Sequence, residues 1–209
     1  EVIRSEEGKL GLLADYWKPI FNSPSPPRRV IKAFTEQFVH RWQDFNPPPP
    51  TWATFEGVMD RAIDSHVGSD GLPYSAWAAT PKYSSETLFE VSCELSQGID
   101  WDLEFTENIA AFAPKGESQA DLIEVIRSPD DCRPLGMRNT DSKIIAGAHN
   151  QALREPVAKR LHESQNGFTL GRQLTNNVID LDSHGRGVSL VHPGALVALF
   201  DLKAAFPSV

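Results

Sequence analysis

Ile109-Ala-Ala-Phe-Ala-Pro-Lys-Gly116 and Cys132-Arg-Pro-Leu-Gly-Met-Arg-Asn139 are the two stretches on which the fold turns. The first is a short run of small and apolar residues that reads as a strand over Ile109–Ala113. Pro114-Lys-Gly116 stops it, because proline removes a ladder donor and glycine enters turn conformations without steric cost. Cys132–Asn139 is its expected antiparallel partner.

Outward from this hairpin the pattern is helical. Between Pro27 and Phe45, Val30, Phe34, Phe38, Trp42 and Phe45 recur at helical spacing, with a proline suited to the first turn. Pro47–Pro50 makes an extended spacer, and Thr51 caps a second helix carrying Trp52, Phe55, Met59 and Ile63. Packing between helices accounts for these aromatic faces better than base stacking does. Gly68-Ser-Asp-Gly-Leu-Pro-Tyr74 is a turn leading into a short helix with Tyr74 and Trp77. Another helix starts at Ser84 or Ser85, turns Leu88, Val91 and Leu95 inward and ends before Gly98.

On the far side of the hairpin, Asn139 to Glu163 is helical, with Ile144, Ala148 and Ala152 on one face and a kink or restart at Pro156. A loop at Gln165–Gly171 precedes a helix through Leu174, Val178 and Leu181. Ser183–Gly194, punctuated by Gly185, Gly187 and Gly194, reads as a loop. Ala195-Leu-Val-Ala-Leu-Phe-Asp201 reads as a buried strand ending on an acid. Helices, one hairpin and an inner strand make the expected class α+β.

Of the 209 residues, 40% are hydrophobic and 23% charged, which allows a packed core and argues against disorder. Two cysteines, Cys93 and Cys132, make neither a disulfide framework nor a four-ligand zinc site. Apolar runs such as Ala195–Phe200 are too short to cross a bilayer, so no membrane partner is expected. With no secretory leader in view, a soluble intracellular protein follows. A start at Glu1 and an apolar stretch just before Val209 suggest a piece of something longer.

The net charge of −8 argues against a surface that coats nucleic acid throughout. The charge is uneven. Residues 1–110 hold 9 Lys and Arg against 17 Asp and Glu, whereas residues 111–209 hold 11 of each. From Arg127 to Arg172, 8 cations face 5 acids. That balance suits a local phosphate site, or equally a solvated helix face.

Asp201 carries the strongest chemical signal. A carboxylate closing an apolar strand is costly unless it is paired or holds a metal, but taken alone Asp201 reads better as an N-cap for a helix through Leu202–Phe206. Alone, Lys115 reads as a surface lysine and Arg133 as a salt-bridged strand end. The order of the pieces adds to these readings. Gly68–Tyr74 comes first, followed by Phe112-Ala-Pro-Lys-Gly116, Arg133-Pro-Leu135 and Lys143-Ile144. Gln165-Asn-Gly-Phe168 with Gly171-Arg172 follows, then Phe200-Asp-Leu-Lys-Ala-Ala-Phe206. Over residues 65–209 this series resembles the reverse transcriptases of non-LTR, LINE-type retrotransposons, up to their first catalytic motif.

The resemblance implies the fingers and partial palm of a right-hand polymerase over 65–209, preceded by a helical segment over 1–64. The implied reaction is RNA-directed addition of deoxynucleoside triphosphates to a DNA primer on an RNA template, with Mg²⁺ as cofactor. Asp201 matches the first catalytic aspartate, with Leu202 offering its carbonyl to a metal ion. Phe206 matches the gate beneath the sugar. Lys115 and Arg133 match finger residues that neutralise the triphosphate. Gln165, Gly167 and Phe168 match a loop near the template, and Gly71 serves the tight turn that opens the fingers. Ser69 stands where many relatives carry Pro, and Pro207 where many carry Asp; neither position supplies a metal ligand. No acidic pair follows Asp201 and nothing matches a thumb, so the chain is expected to be inactive alone, with the rest of palm and thumb supplied by a parent polypeptide. The alternative is a non-catalytic retroelement remnant that acts only as an RNA- or protein-binding module.

Overall fold

Seven helices and one two-stranded antiparallel sheet form an α+β fold among the described residues, which are 2–39, 42–99, 105, 107–117 and 119–199 of this computed structural model. In chain order these are α1 (Glu6–Phe21), α2 (Arg28–Phe38), α3 (Trp52–Arg61), α4 (Tyr74–Ala78) and α5 (Pro81–Ser96). The hairpin follows as β1 (Asn108–Pro114) and β2 (Cys132–Arg138), then α6 (Thr140–Ala158) and α7 (Thr175–Val191). Two compact units interleave along the chain, one holding α1, α2 and the hairpin, the other α3 to α7. The sequence division at 64/65 does not coincide with these units. Among the described residues no helix is long and apolar enough to cross a membrane.

The larger unit is built on three helices, α3, α5 and α6, each packed against the other two. Helical spacing puts Phe55 and Met59 of α3, Leu88 of α5, and Ile144, Ile145 and Ala148 of α6 into one buried cluster. Burying a side chain of this size stabilises by roughly 1.5–3 kcal/mol, so this cluster is the main source of the unit's stability. Phe89 meets Phe55 edge-on at 6.1 Å, and Tyr74 and Trp77 of α4 pack at the margin. A Cβ at Gly147 would stand 3.2 Å from Val58 Cγ1, so the missing side chain lets α6 lie close on α3.

Helix α5 starts earlier than expected, at Pro81 rather than Ser84 or Ser85. Proline suits the first helical position because its absent N–H would have had no partner there. Both serines are buried inside the helix, where Ser85 Oγ donates to the Lys82 carbonyl at 3.0 Å. The end is as read: Gly98 takes φ +79° just past the C-cap, and its N–H donates to the Leu95 carbonyl.

The glycine-rich stretch after α6 corrects the sequence reading. Residues 183–191, expected as loop, continue α7 through Gly185 and Gly187. Ser183 Oγ donates to the Ile179 carbonyl and Arg186 pairs with Asp182 at 2.9 Å, local contacts that hold the helix despite its glycines. Residues 195–199, expected as a buried strand, form no strand, and Leu196, Val197 and Leu199 are exposed. A strand needs a ladder partner, and among the described residues only β1 and β2 pair. The remainder of that stretch lies outside the described residues.

In the smaller unit α1 is capped by Ser5, whose Oγ accepts from the Gly8 N–H at 3.3 Å. It buries Trp17 between Phe21, stacked at 5.6 Å, and Phe112 of β1 at 6.0 Å. Helix α2 stops at Phe38, short of Trp42 and Phe45, because Val39 is extended. Its apolar face does not pack between helices as expected. Val30, Ile31, Phe34 and Phe38 are all exposed, and the rings of Phe34 and Phe38 lie against each other at 5.0 Å.

Candidate functional site

The sequence-matched motifs within the larger unit lie at the two ends of α6. At its N-terminus the Gly68–Tyr74 turn is stitched down by buried polar groups. Asn139 Oδ1 accepts from Ser69 Oγ at 3.3 Å and from the Asp70 N–H at 3.4 Å. Thr140 Oγ1 donates to the Leu72 carbonyl and accepts from Trp77 Nε1, each at 2.8 Å. Lys143 Nζ donates to the His66 carbonyl at 2.8 Å. The turn itself needs Gly71 at φ +70°, closed by the Gly71 N–H on the Gly68 carbonyl and by Asp70 Oδ1 on the Leu72 N–H. At Gly68 a Cβ would stand 2.6 Å from Asn139 Cα, so that residue is glycine for close approach. Beside the seat, burial raises the Asp141 carboxyl above its ordinary value, and the nearby Asp70 charge adds to the shift.

At the other end of α6, the Gln165–Gly171 loop is organised by Arg172. Its guanidinium donates to the carbonyls of Ala158, Leu161, His162 and Gln165. This places a cation at the negative dipole end of α6, on the carbonyl of its last residue, Ala158, and on three carbonyls of the loop that follows. Asn166 is buried and donates from Nδ2 to Asn177 Oδ1 at 2.6 Å, and Thr169 Oγ1 donates to the Gln165 and Gly167 carbonyls. Gln165 Nε2 donates to the Gly167 carbonyl at 3.1 Å. Together these bonds hold Phe168 at φ +56°, an uncommon conformation for a bulky residue, with its ring fully exposed. Gln165, Gly167 and Phe168 therefore share one rigid loop tip.

The hairpin of the smaller unit carries Lys115 and Arg133. The Lys115 N–H donates to the Asp131 carbonyl at 2.7 Å, which extends the β1–β2 pairing. Its Nζ donates to the Asp130 carbonyl at 2.6 Å. The Arg133 side chain is exposed and makes no hydrogen bond or ion pair among the described residues, in place of the salt bridge its sequence context suggested. The two heads share a hairpin but no common contact. The connection between the strands is tied instead by Arg127, half of a bidentate pair with Asp121 at 2.8 and 2.6 Å, which also donates to the Lys115 and Gly116 carbonyls. Burial and Asp131 push the Cys132 thiol up, which disfavours its thiolate.

Asp201, Leu202 and Phe206 lie outside the described residues. Among the described residues no three His, Cys, Asp or Glu side chains gather to hold a metal ion. Sequence reasoning missed three arginine roles: the Arg127 clamp, the Arg172 cap on α6, and a cleft between α3 and α6. That cleft, of about 480 Å³, is lined by Arg61, Gly147, Asn150, Gln151 and Arg154. Each role joins positions far apart in sequence or binds backbone carbonyls, and neither leaves a local pattern. No family model matches the chain, and no curated protein matches it.

Proposed function

We propose that this chain is the fingers and the opening of the palm of an RNA-directed DNA polymerase of a non-LTR retroelement. The observation that carries the reading is the order of six motifs from Gly68–Tyr74 to Phe200–Phe206. Three structural features support it. The Gly68–Tyr74 turn is anchored to the start of α6, Lys115 and Arg133 ride one hairpin, and Gln165, Gly167 and Phe168 form one braced loop tip. In this reading Lys115 and Arg133 receive the triphosphate, with Arg133 the freer of the two. Phe168 offers an open ring to the template side, and Phe206 gates the sugar. Mg²⁺ would be held by Asp201 and the Leu202 carbonyl, and it supplies charge stabilisation during phosphoryl transfer.

Asp201 is the last acid of the 209 residues, and two-metal chemistry needs about three carboxylates. The chain by itself is therefore expected to bind without turning over. The second reading is a remnant that only binds RNA or protein. In a primer-extension assay with Mg²⁺ or Mn²⁺ the chain should incorporate no more than a no-enzyme control. Incorporation abolished by Asp201→Ala would contradict this.

Photo-crosslinking with a radiolabelled photoreactive deoxynucleoside triphosphate tests the reading itself. Label is expected on the peptide spanning the hairpin, reduced about tenfold when Lys115 and Arg133 are both alanine, since each charge-assisted hydrogen bond contributes roughly 1.5–3 kcal/mol when sequestered and less when exposed. Label spread over the chain and indifferent to both substitutions would leave only the remnant reading.

A further inference from the structure

We propose that the cleft between α3 and α6 is a phosphate-binding site for a nucleic-acid strand, with Arg61 and Arg154 as its cationic walls. The inference rests on the nucleic-acid reading above but concerns residues that reading does not use. Arg61 ends α3 and Arg154 lies on α6, and the two helices are packed directly on one another. The floor is Gly147, whose missing side chain brings the helices together and leaves the cleft open. Asn150 and Gln151 complete the lining.

The electrostatics are unusual for this chain. Acids outnumber basic residues 28 to 20, yet no carboxylate lines this cleft while two guanidinium groups do. Neither arginine has an ion-pair partner among the described residues. The acid next to Arg154, Glu155, is held by Lys159 at 2.6 Å. Arg61 spends one N–H on Gln151 Oε1, which fixes both groups at the rim and leaves the remaining guanidinium donors unused. Two like charges gathered without a counter-charge repel, and an anion shared between them removes that repulsion. Guanidinium forks matched to oxygen pairs, flanked by amide donors, are suited to a phosphodiester.

The cleft also runs on along α6. Asn150 and Arg154 also line a second cleft, whose lining includes the exposed Phe168. Cations that follow a backbone, with an aromatic face within the same groove system, are the arrangement by which single strands are held without sequence preference. A strand with its phosphates on Arg61 and Arg154 is the occupant that matches two cations flanked by the Asn150 and Gln151 amides.

The test is anisotropy of a labelled single-stranded RNA of about 20 nucleotides titrated with the full chain at several salt concentrations. Arg61→Gln with Arg154→Gln should weaken binding about tenfold and lower the salt slope by about 2, one for each phosphate that no longer meets a guanidinium. Arg154→Glu, at an exposed position, should weaken it at least as much, and all variants should melt at the temperature of the unaltered chain. RNA bound equally tightly and with unchanged slope by the double variant would overturn the cleft and leave the nucleic-acid reading standing. No RNA binding by the unaltered chain would overturn both. Inorganic phosphate in place of RNA separates the sources of the anion. Thermal protection by phosphate that depends on both arginines, without RNA binding, would overturn the strand in favour of a free ion.

Discussion

Helices α6 and α7 have similar length and both carry apolar residues at helical spacing, yet α6 buries Thr140, Ile144, Ile145 and Ala148 whereas α7 buries none of its residues. Helix α6 exists because α3 and α5 cover its face. Helix α7 is held by its own backbone, by an i,i+4 ion pair between Asp182 and Arg186 and by serine bonds to carbonyls. Tertiary packing dominates helix stability in proteins, so the two should respond very differently to substitution.

The largest difference is expected at the covered face. Phe55→Ala removes a fully buried ring from between α3, α5 and α6 and should cost about 3–5 kcal/mol, read as a lowered urea midpoint. Nothing comparable is available on α7, where Val178→Ala should change the stability read from that midpoint by no more than about 0.5 kcal/mol. A matching loss at Val178 would show that α7 is covered in solution.

A smaller effect is expected at the polar seat of α6. Thr140→Val keeps the shape but leaves Trp77 Nε1 without its acceptor and the Leu72 carbonyl without its donor, which should cost about 1–3 kcal/mol. The Trp77 indole N–H resonance should shift at the same time. An unchanged resonance would mean that the Gly68–Tyr74 turn does not rest on α6.

Next comes the junction between the two helices. Arg172→Ala removes a guanidinium from the Ala158 carbonyl of α6 and from three carbonyls of the loop beyond it, and should cost about 1–2 kcal/mol, with Phe168 released from its positive φ. Arg172→Lys, which keeps charge but cannot span the same carbonyls, should recover less than half of that loss.

The smallest effects are on α7 itself. Gly185→Ala and Gly187→Ala should each favour the helix by about 1 kcal/mol, visible as slower amide exchange over 183–191 with no change in the global midpoint. Faster exchange would mean that those residues are not helical in solution.

How far the sequence was legible follows the same division. Ile144 and Ala148, Phe55 and Met59, and the paired stretches at β1 and β2 were readable because their neighbours in sequence carry the period. Residues 183–191 were misread because Gly185 and Gly187 signal a loop locally and outweighed the i,i+4 pair of Asp182 and Arg186 that supports the helix. The exposure of Phe34 and Phe38 was misread because an amphipathic face shows where a partner could lie without supplying one. Within the candidate sites, Gly71 was legible from its turn chemistry and the Gln165–Phe168 loop from its glycines. Arg61 and Arg154 were not, since only the packing of α3 on α6 brings them to one cleft.

The most direct test of the polymerase-fingers account is binding of a primer–template, an RNA template annealed to a labelled DNA primer, at about 50 mM and about 200 mM salt. The account expects saturable binding that weakens at the higher salt, and that tightens on adding a deoxynucleoside triphosphate unless Lys115 and Arg133 are both alanine. No saturation up to about 100 μM protein, the weak end of ordinary non-specific affinity, would contradict it. So would binding that inorganic polyphosphate abolishes at equal charge and that the triphosphate leaves unchanged.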